Sequence, residues 1–228
     1  MALQAQQIIT LACQKAGAPG MTSQAGQYLN AILSDLCETY DLDLAKTTTV
    51  LSISSGVGPY PLPAAYLRTL PGEVFITFDN VPYPLVPLDL AEFDSLVQQP
   101  GLQSIPTMFA TDMSQTPPVI YFWPPPNGVY PVTIRYYQQM PDIASPQSSS
   151  VVPWFPNTNY LETRLAGKMM EHVDDTRADS FLQKAEMILN KYLKMKDDAS
   201  DRSMRVKLDR RFYGQNFSRI PNTKTVGF

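Results

Sequence analysis

A single histidine, His172, and two cysteines, Cys13 and Cys37, leave little for a metal site or a disulfide framework in 228 residues. The two cysteines fall in segments that read as helices, so buried reduced thiols are expected. No apolar run approaches the roughly 20 residues needed to span a bilayer. The start, Met1 to Gln7, lacks a basic region followed by an apolar core, so no secretory signal is expected. A soluble protein from a reducing compartment, without membrane contact, is the expectation. The chain also lacks the G-x-S-x-G elbow, the phosphate-cradling G-x-x-x-x-G-K and the dinucleotide glycine pattern. Nothing in it calls for a cofactor or a metal.

Proline, by contrast, is abundant: 21 residues, crowded between Pro59 and Pro156 and absent from the helical stretches that flank them. The composition therefore changes twice, near residue 45 and near residue 158. Before the first change, Leu3 to Ala16 reads as a helix with Ile8, Ile9, Leu11, Ala12 and Cys13 inward. Gly17-Ala18-Pro19-Gly20 ends it. Thr22 or Ser23 offers a hydroxyl cap for a second helix reaching Tyr40. Its apolar face is Tyr28, Leu29, Ile32, Leu33, Leu36, Cys37 and Tyr40, opposite a polar face of Gln27, Asn30, Ser34, Asp35 and Glu38.

From Lys46 the pattern turns to strands: Thr47 to Ser54, Glu73 to Phe78, Val81 to Val86, Met108 to Asp112, Val119 to Trp123 and Val129 to Tyr137. Asp79-Asn80 suits a tight turn, and a short helix from Leu88 to Gln98, with Asp89 at its cap, interrupts the sheet. Near Asn157 the helical period returns through Leu161, Leu165, Met169 and Val173. Asp174-Asp175-Thr176 breaks it, and Thr176 with Asp179 resembles a capping box. The last helix carries Phe181, Leu182, Ala185, Ile188, Leu189, Tyr192 and Leu193. The fold class expected is α+β. A helical bundle is built from helix pairs at 1–45 and 158–198, with a β-rich insertion at 46–157 and an extended arm at 199–228.

That arm holds seven positive residues against two negative ones, net +5, so the chain's −3 leaves −8 for residues 1–198. Its apolar residues fall at irregular spacing, yet it is too aromatic for inert solvated chain. An interaction tail on an acidic body is the reading. Elsewhere the residues favour structure over chemistry. His172 reads as a helix-surface side chain. Asp174-Asp175 and Asp197-Asp198 lack the spacing of a calcium loop and read as polar junctions. Glu73, Glu92, Asp94 and Asp112 show no spacing that singles out a catalytic pair. Tyr121-Phe122-Trp123 and Tyr136-Tyr137 read as sheet packing. Pro153-Trp154-Phe155-Pro156 is either a hydrophobic plug between insertion and helix or a recognition hook; the plug is favoured.

The order of elements, with Leu62-Pro63-Ala64-Ala65-Tyr66-Leu67-Arg68, Pro106 to Asp112, Tyr121-Phe122-Trp123-Pro124, Pro153-Trp154-Phe155-Pro156 and Asp209-Arg210-Arg211-Phe212, resembles the head-to-tail adaptors of tailed bacteriophages. These are the tail tubular protein A and tail accessory factor types. The resemblance implies a non-enzymatic virion protein, assembled in the host cytoplasm into a homo-oligomeric ring of about twelve copies. The ring would sit below the portal protein, extend the channel for double-stranded DNA and carry the tail nozzle or tail tube protein. It also implies that the arm docks on the portal through Arg202, Arg205, Lys207, Arg210, Arg211, Phe212 and Tyr213. Two other readings stand beside it: a nucleic-acid-binding protein using the basic arm, and a virion-associated cell-wall hydrolase using unassigned carboxylates.

Overall fold

Helix α1 (Ala5–Lys15) begins where the chain finds partners for its first amide groups: Ala5 and Gln6 donate to the carbonyls of Val151 and Ser149 at 2.8 and 3.2 Å. The computed structural model that shows this describes residues 3–56, 58–70, 72–97 and 103–199. The helix closes as the glycine predicts. Gly17 takes φ +69°, and the amides of Gly17 and Ala18 return to the carbonyls of Gln14 and Cys13, a Schellman motif. Ala5, Ile8, Ile9, Ala12 and Cys13 are buried, whereas Leu11, expected inside, is 36 % exposed. It lies roughly a third of a turn from the centre of the buried arc.

Helix α2 (Thr22–Thr39) buries Ala25, Gly26, Leu29, Ile32, Leu33, Leu36 and Cys37, while Tyr28 and Tyr40 are half-buried. Met21 occupies its cap and no side chain bonds there, so the expected hydroxyl cap is replaced: Thr22 and Ser23 already lie within the first turn. The face expected to meet water is partly spoken for. Asn30 makes a two-way amide pair with the backbone of Ile143, both bonds 3.1 Å, and Ser34 accepts from Gln139 Nε2 at 2.6 Å.

Two sheets follow, built from β1 (Lys46–Ile53), β2 (Tyr60–Pro61), β3 (Tyr66–Arg68), β4 (Val74–Phe78), β5 (Val81–Pro84), β6 (Val86–Pro87), β7 (Met108–Asp112), β8 (Val119–Trp123) and β9 (Tyr130–Gln138). One runs β1-β9-β4-β5, with β3 also on β9; the other runs β2-β8-β7-β6, with only the β6–β7 pair parallel. Asp79 and Asn80 form the expected turn, both at positive φ (51° and 62°). A shared core of Ile53, Leu62, Val74, Ile76, Phe109, Ile120, Phe122, Val132 and Ile134 draws on both sheets. The two-residue strands and β3 escape a reading by alternation because they are too short to show a period. Helix α3 (Leu90–Val97) lies beside β7 and starts two residues later than expected, with the Asp89 carbonyl accepting from Phe93; the expected end at Gln98 lies outside the described residues.

The chain then returns to helices: α4 (Thr158–His172), capped by Asn157 Oδ1 accepting from Tyr160 at 3.1 Å, and α5 (Ala178–Ala199). Helices α1, α2 and α4 pack mutually, and a tight turn at Pro146–Ser148 wedges against α1 and α2. Val173, expected inside, is exposed because α4 stops at His172 and Asp174 turns away at φ 58°. The polar contacts at the start of α5 converge on Asp175, which accepts from the Arg177 amide and guanidinium, in place of the expected Thr176–Asp179 box. On α5 every residue of the expected stripe is buried or half-buried. The chain forms one unit up to Ile188, and Leu189 begins a second.

Gly167 of α4 packs closely against α5: a Cβ there would stand 2.8 Å from Leu182 Cδ2 and 3.2 Å from its backbone nitrogen. Gly167→Val should therefore lower stability by about 1–3 kcal/mol through overpacking. Gly167→Ala should cost less, because helix propensity returns about 1 kcal/mol. Urea unfolding measures both; equal stability of all three forms would contradict the packing.

Candidate interaction site

A group of charged side chains lies where helix α2 meets the first sheet. Arg68, on β3, donates from Nε to Asp41 Oδ1 at 2.8 Å and from a terminal nitrogen to the Glu38 carbonyl at 2.9 Å. A cation on a C-terminal helix carbonyl also offsets the helix dipole. The same guanidinium stands 5.4 Å from the centre of the Tyr137 ring, and Lys46 Nζ stands 5.9 Å from it. Lys46 reaches Glu73 at 2.7 Å, and Arg135, 3.8 Å from Glu73, lies over Phe75. Beneath this layer Tyr137 is buried with Cys37 and Ala45, and Leu67, Leu70, Met140 and Trp154 close around them. Burial pushes the Cys37 thiol and the Tyr137 hydroxyl up from their ordinary values.

Trp154 and Phe155 complete the joint from the other side. Phe155 is buried and meets Trp154 and Tyr160 edge-on, at centroid distances of 5.8 and 5.5 Å. The pair is thus a plug between sheet and α4, not a projecting hook. Burial carries the Tyr160 hydroxyl to about 12, and that of Tyr66, in the sandwich core, to about 12.

Several of the other residues singled out in the sequence find structural partners. His172 is exposed, with Nδ1 3.0 Å from the Tyr28 hydroxyl. Asp175 is held down at about 2 by its bonds from Arg177. Asp112 is lowered by Ser114, which bonds it twice, and Glu73 is paired with Lys46. Glu92 and Asp94 lie exposed on α3. Glu73 precedes β4, Asp112 ends β7, and Glu92 and Asp94 lie on α3. No group of three or more His, Cys, Asp and Glu suited to a metal occurs among the described residues. Phe122, Tyr136 and Tyr137 are buried in packing, and Tyr121 lies against Phe93. Cys13 and Cys37 are both buried free thiols.

The seven arm residues, Arg202, Arg205, Lys207, Arg210, Arg211, Phe212 and Tyr213, lie outside the described residues, as does Asp209, so all four residues of the resemblance's last motif, Asp209 to Phe212, fall there. What the sequence did not announce is a set of open faces. A groove of about 450 Å³ runs along α1, lined by Gln6, Gln7, Thr10, Leu11 and Gln147. Another, of about 390 Å³, lies between α2 and α4 beside Tyr28, Ile32, Arg164 and Lys168. At the sheet, Val50, Val81, Tyr83 and Val129 are exposed. Only Leu11, an apolar residue off its helix's buried arc, could have signalled the first groove.

Several charged groups are thus held in structural contacts, while apolar and amide-rich faces are left open. The chain belongs to the SU10 adaptor protein family, a family of phage head-to-tail adaptors whose match covers residues 3–211. No curated protein matches the chain.

Arg68 offers the direct check on the joint. Arg68→Met keeps the stem and removes two hydrogen bonds and the cation over Tyr137, and should cost about 1–2 kcal/mol in urea unfolding. Arg68→Lys, which cannot hold both oxygens in a planar fork, should recover less than half of that. Full recovery by lysine would show that charge alone matters.

Proposed function

We infer that this chain is the structural adaptor of a tailed-phage virion at the head–tail junction, forming a ring below the portal that extends the DNA channel and carries the tail nozzle or tail tube protein. The observation that carries this reading is the family match over nearly the whole chain. In it the end helices act as a helical bundle (residues 1–45 and 158–198), the sandwich at 46–157 is an insertion into it, and 199–228 is a docking arm. An acidic body of −8 suits a channel through which DNA slides without adhering. The arm's arginines and aromatics are the residue types that dominate protein contacts.

The portal reading of the arm separates from a nucleic-acid reading by salt. Phosphate binding through several cations weakens steeply with salt, whereas docking by aromatics and paired arginines does so less. The triple substitution Arg210→Glu, Arg211→Glu, Phe212→Ala in the full chain should weaken binding to the portal protein at least tenfold. Unchanged portal binding would remove the arm assignment, and a salt-steep shift of duplex DNA lost in the same variant would favour the nucleic-acid reading.

A further inference from the structure

The first sheet has two edges, and they are built differently. Leu85 donates to the Val74 carbonyl at 2.8 Å, so by the alternation of the antiparallel ladder Val81 and Tyr83 face β4 while the nitrogens of Pro82 and Pro84 face outward. That edge offers no amide donor, the usual protection of an exposed strand. At the opposite edge, β1 pairs in unbroken register with β9 from Lys46↔Tyr137 to Ile53↔Tyr130, and no strand lies beyond it among the described residues. Arg135 donates to the Glu73 carbonyl, which turns the odd-numbered residues of β9 towards β4 and the even-numbered ones towards β1. Thr48, Val50 and Ser52 therefore point both amide and carbonyl outward, whereas the Lys46 amide donates to the Asp43 carbonyl. No proline, glycine or bulge interrupts them. Val50 is 61 % exposed, and Thr47, Thr49 and Leu51, on the core side, are only half-buried.

The arm contains a segment of the matching kind. Its apolar spacing is irregular as a whole, but Met204, Val206 and Leu208 alternate strictly with Arg205, Lys207 and Asp209. Six extended residues span about 20 Å, the reach of β1 from Lys46 to Ser52. Added beside β1, they would lay Met204, Val206 and Leu208 over the half-buried Thr47, Thr49 and Leu51. Arg205 and Lys207 would share the outer face with Thr48 and Val50, on a body of opposite net charge.

We propose that the β1 edge receives Met204–Asp209 of a second copy of this chain as an added strand. The inference rests on the ring reading and deepens it. An edge on one copy and a donor strand on the next form a head-to-tail contact, the kind that generates rings when the rotation closes. The basic and aromatic residues from Arg210 onward remain free for the portal.

Two full-length variants test it by complementation. Val50→Pro removes an outward-facing donor and leaves the β1–β9 ladder bonds in place; Val206→Pro breaks the arm strand and leaves the body untouched. Each alone should stay monomeric in native mass spectrometry, and a mixture should give a 1:1 dimer, since one variant keeps an arm and the other keeps an edge. In the unmodified protein, hydrogen exchange at Thr48, Val50 and Ser52 should slow at least tenfold as concentration rises. Absence of the mixed dimer together with concentration-independent exchange would overturn the proposal, as would protection that persists in the dilute monomer, which would place the chain's own arm there. Rings unaffected by either proline would overturn it while leaving the ring reading intact. Open filaments abolished by both prolines would support the strand and remove the ring.

Discussion

Tyr137 holds the two halves of the architecture in one piece. Its ring is buried against Cys37 of α2 and Ala45 ahead of β1, and covered by the cations of Arg68 and Lys46. β9, which carries it, pairs with β1, β3 and β4, so whatever fixes β9 fixes the first sheet. The residues that follow it, Gln139 and Ile143, are bonded to Ser34 and Asn30 of α2. Two physically different contacts thus reinforce each other at this seam: apolar burial below and charge-assisted bonds above. The partly exposed ion pairs contribute little singly, and their value lies in orienting Arg68 across helix end and ring at once. Trp154 is the seam's unfinished part, with a buried indole N–H that has no hydrogen-bond partner.

Much of this was legible from the residues. Long periodic elements declared themselves, because burial on one face imposes a repeat that composition cannot hide: α2, α4, β7 and β8 lie within a residue or two of their expected bounds. The Gly17 stop and the Asp79-Asn80 turn followed from local backbone chemistry. Errors fell where tertiary contacts override local preference. The caps of α2 and α5 differ from the expected ones: that of α2 falls one residue earlier, at Met21, and the Asp175 side chain takes the bonds at the start of α5. Asn30 and Ser34 read as solvent-facing, yet they hold the chain leaving β9, a contact more than 100 residues away in sequence. The seam was invisible for the same reason: nothing local links Arg68 to Glu38 or Lys46 to Glu73.

Function was legible in a different way. His172, Glu73, Asp112 and Asp175 are each bonded to a neighbouring side chain. The body's charge and the arm's charge oppose each other, and the two edges of the first sheet differ in the one feature that governs strand addition, the outward amide. A structure that protects one edge with two prolines and, among the described residues, leaves the outward amides of Thr48, Val50 and Ser52 without a neighbouring strand is asymmetric in a way that suits directional assembly.

Electron microscopy of the virion tests the central claim most directly. The account predicts copies of this fold arranged as a ring at the head–tail vertex, each with its helices and sandwich joined at Tyr137 and its arm directed towards the portal. Finding the chain absent from that vertex, or present there as isolated copies without contact to the portal, would contradict it.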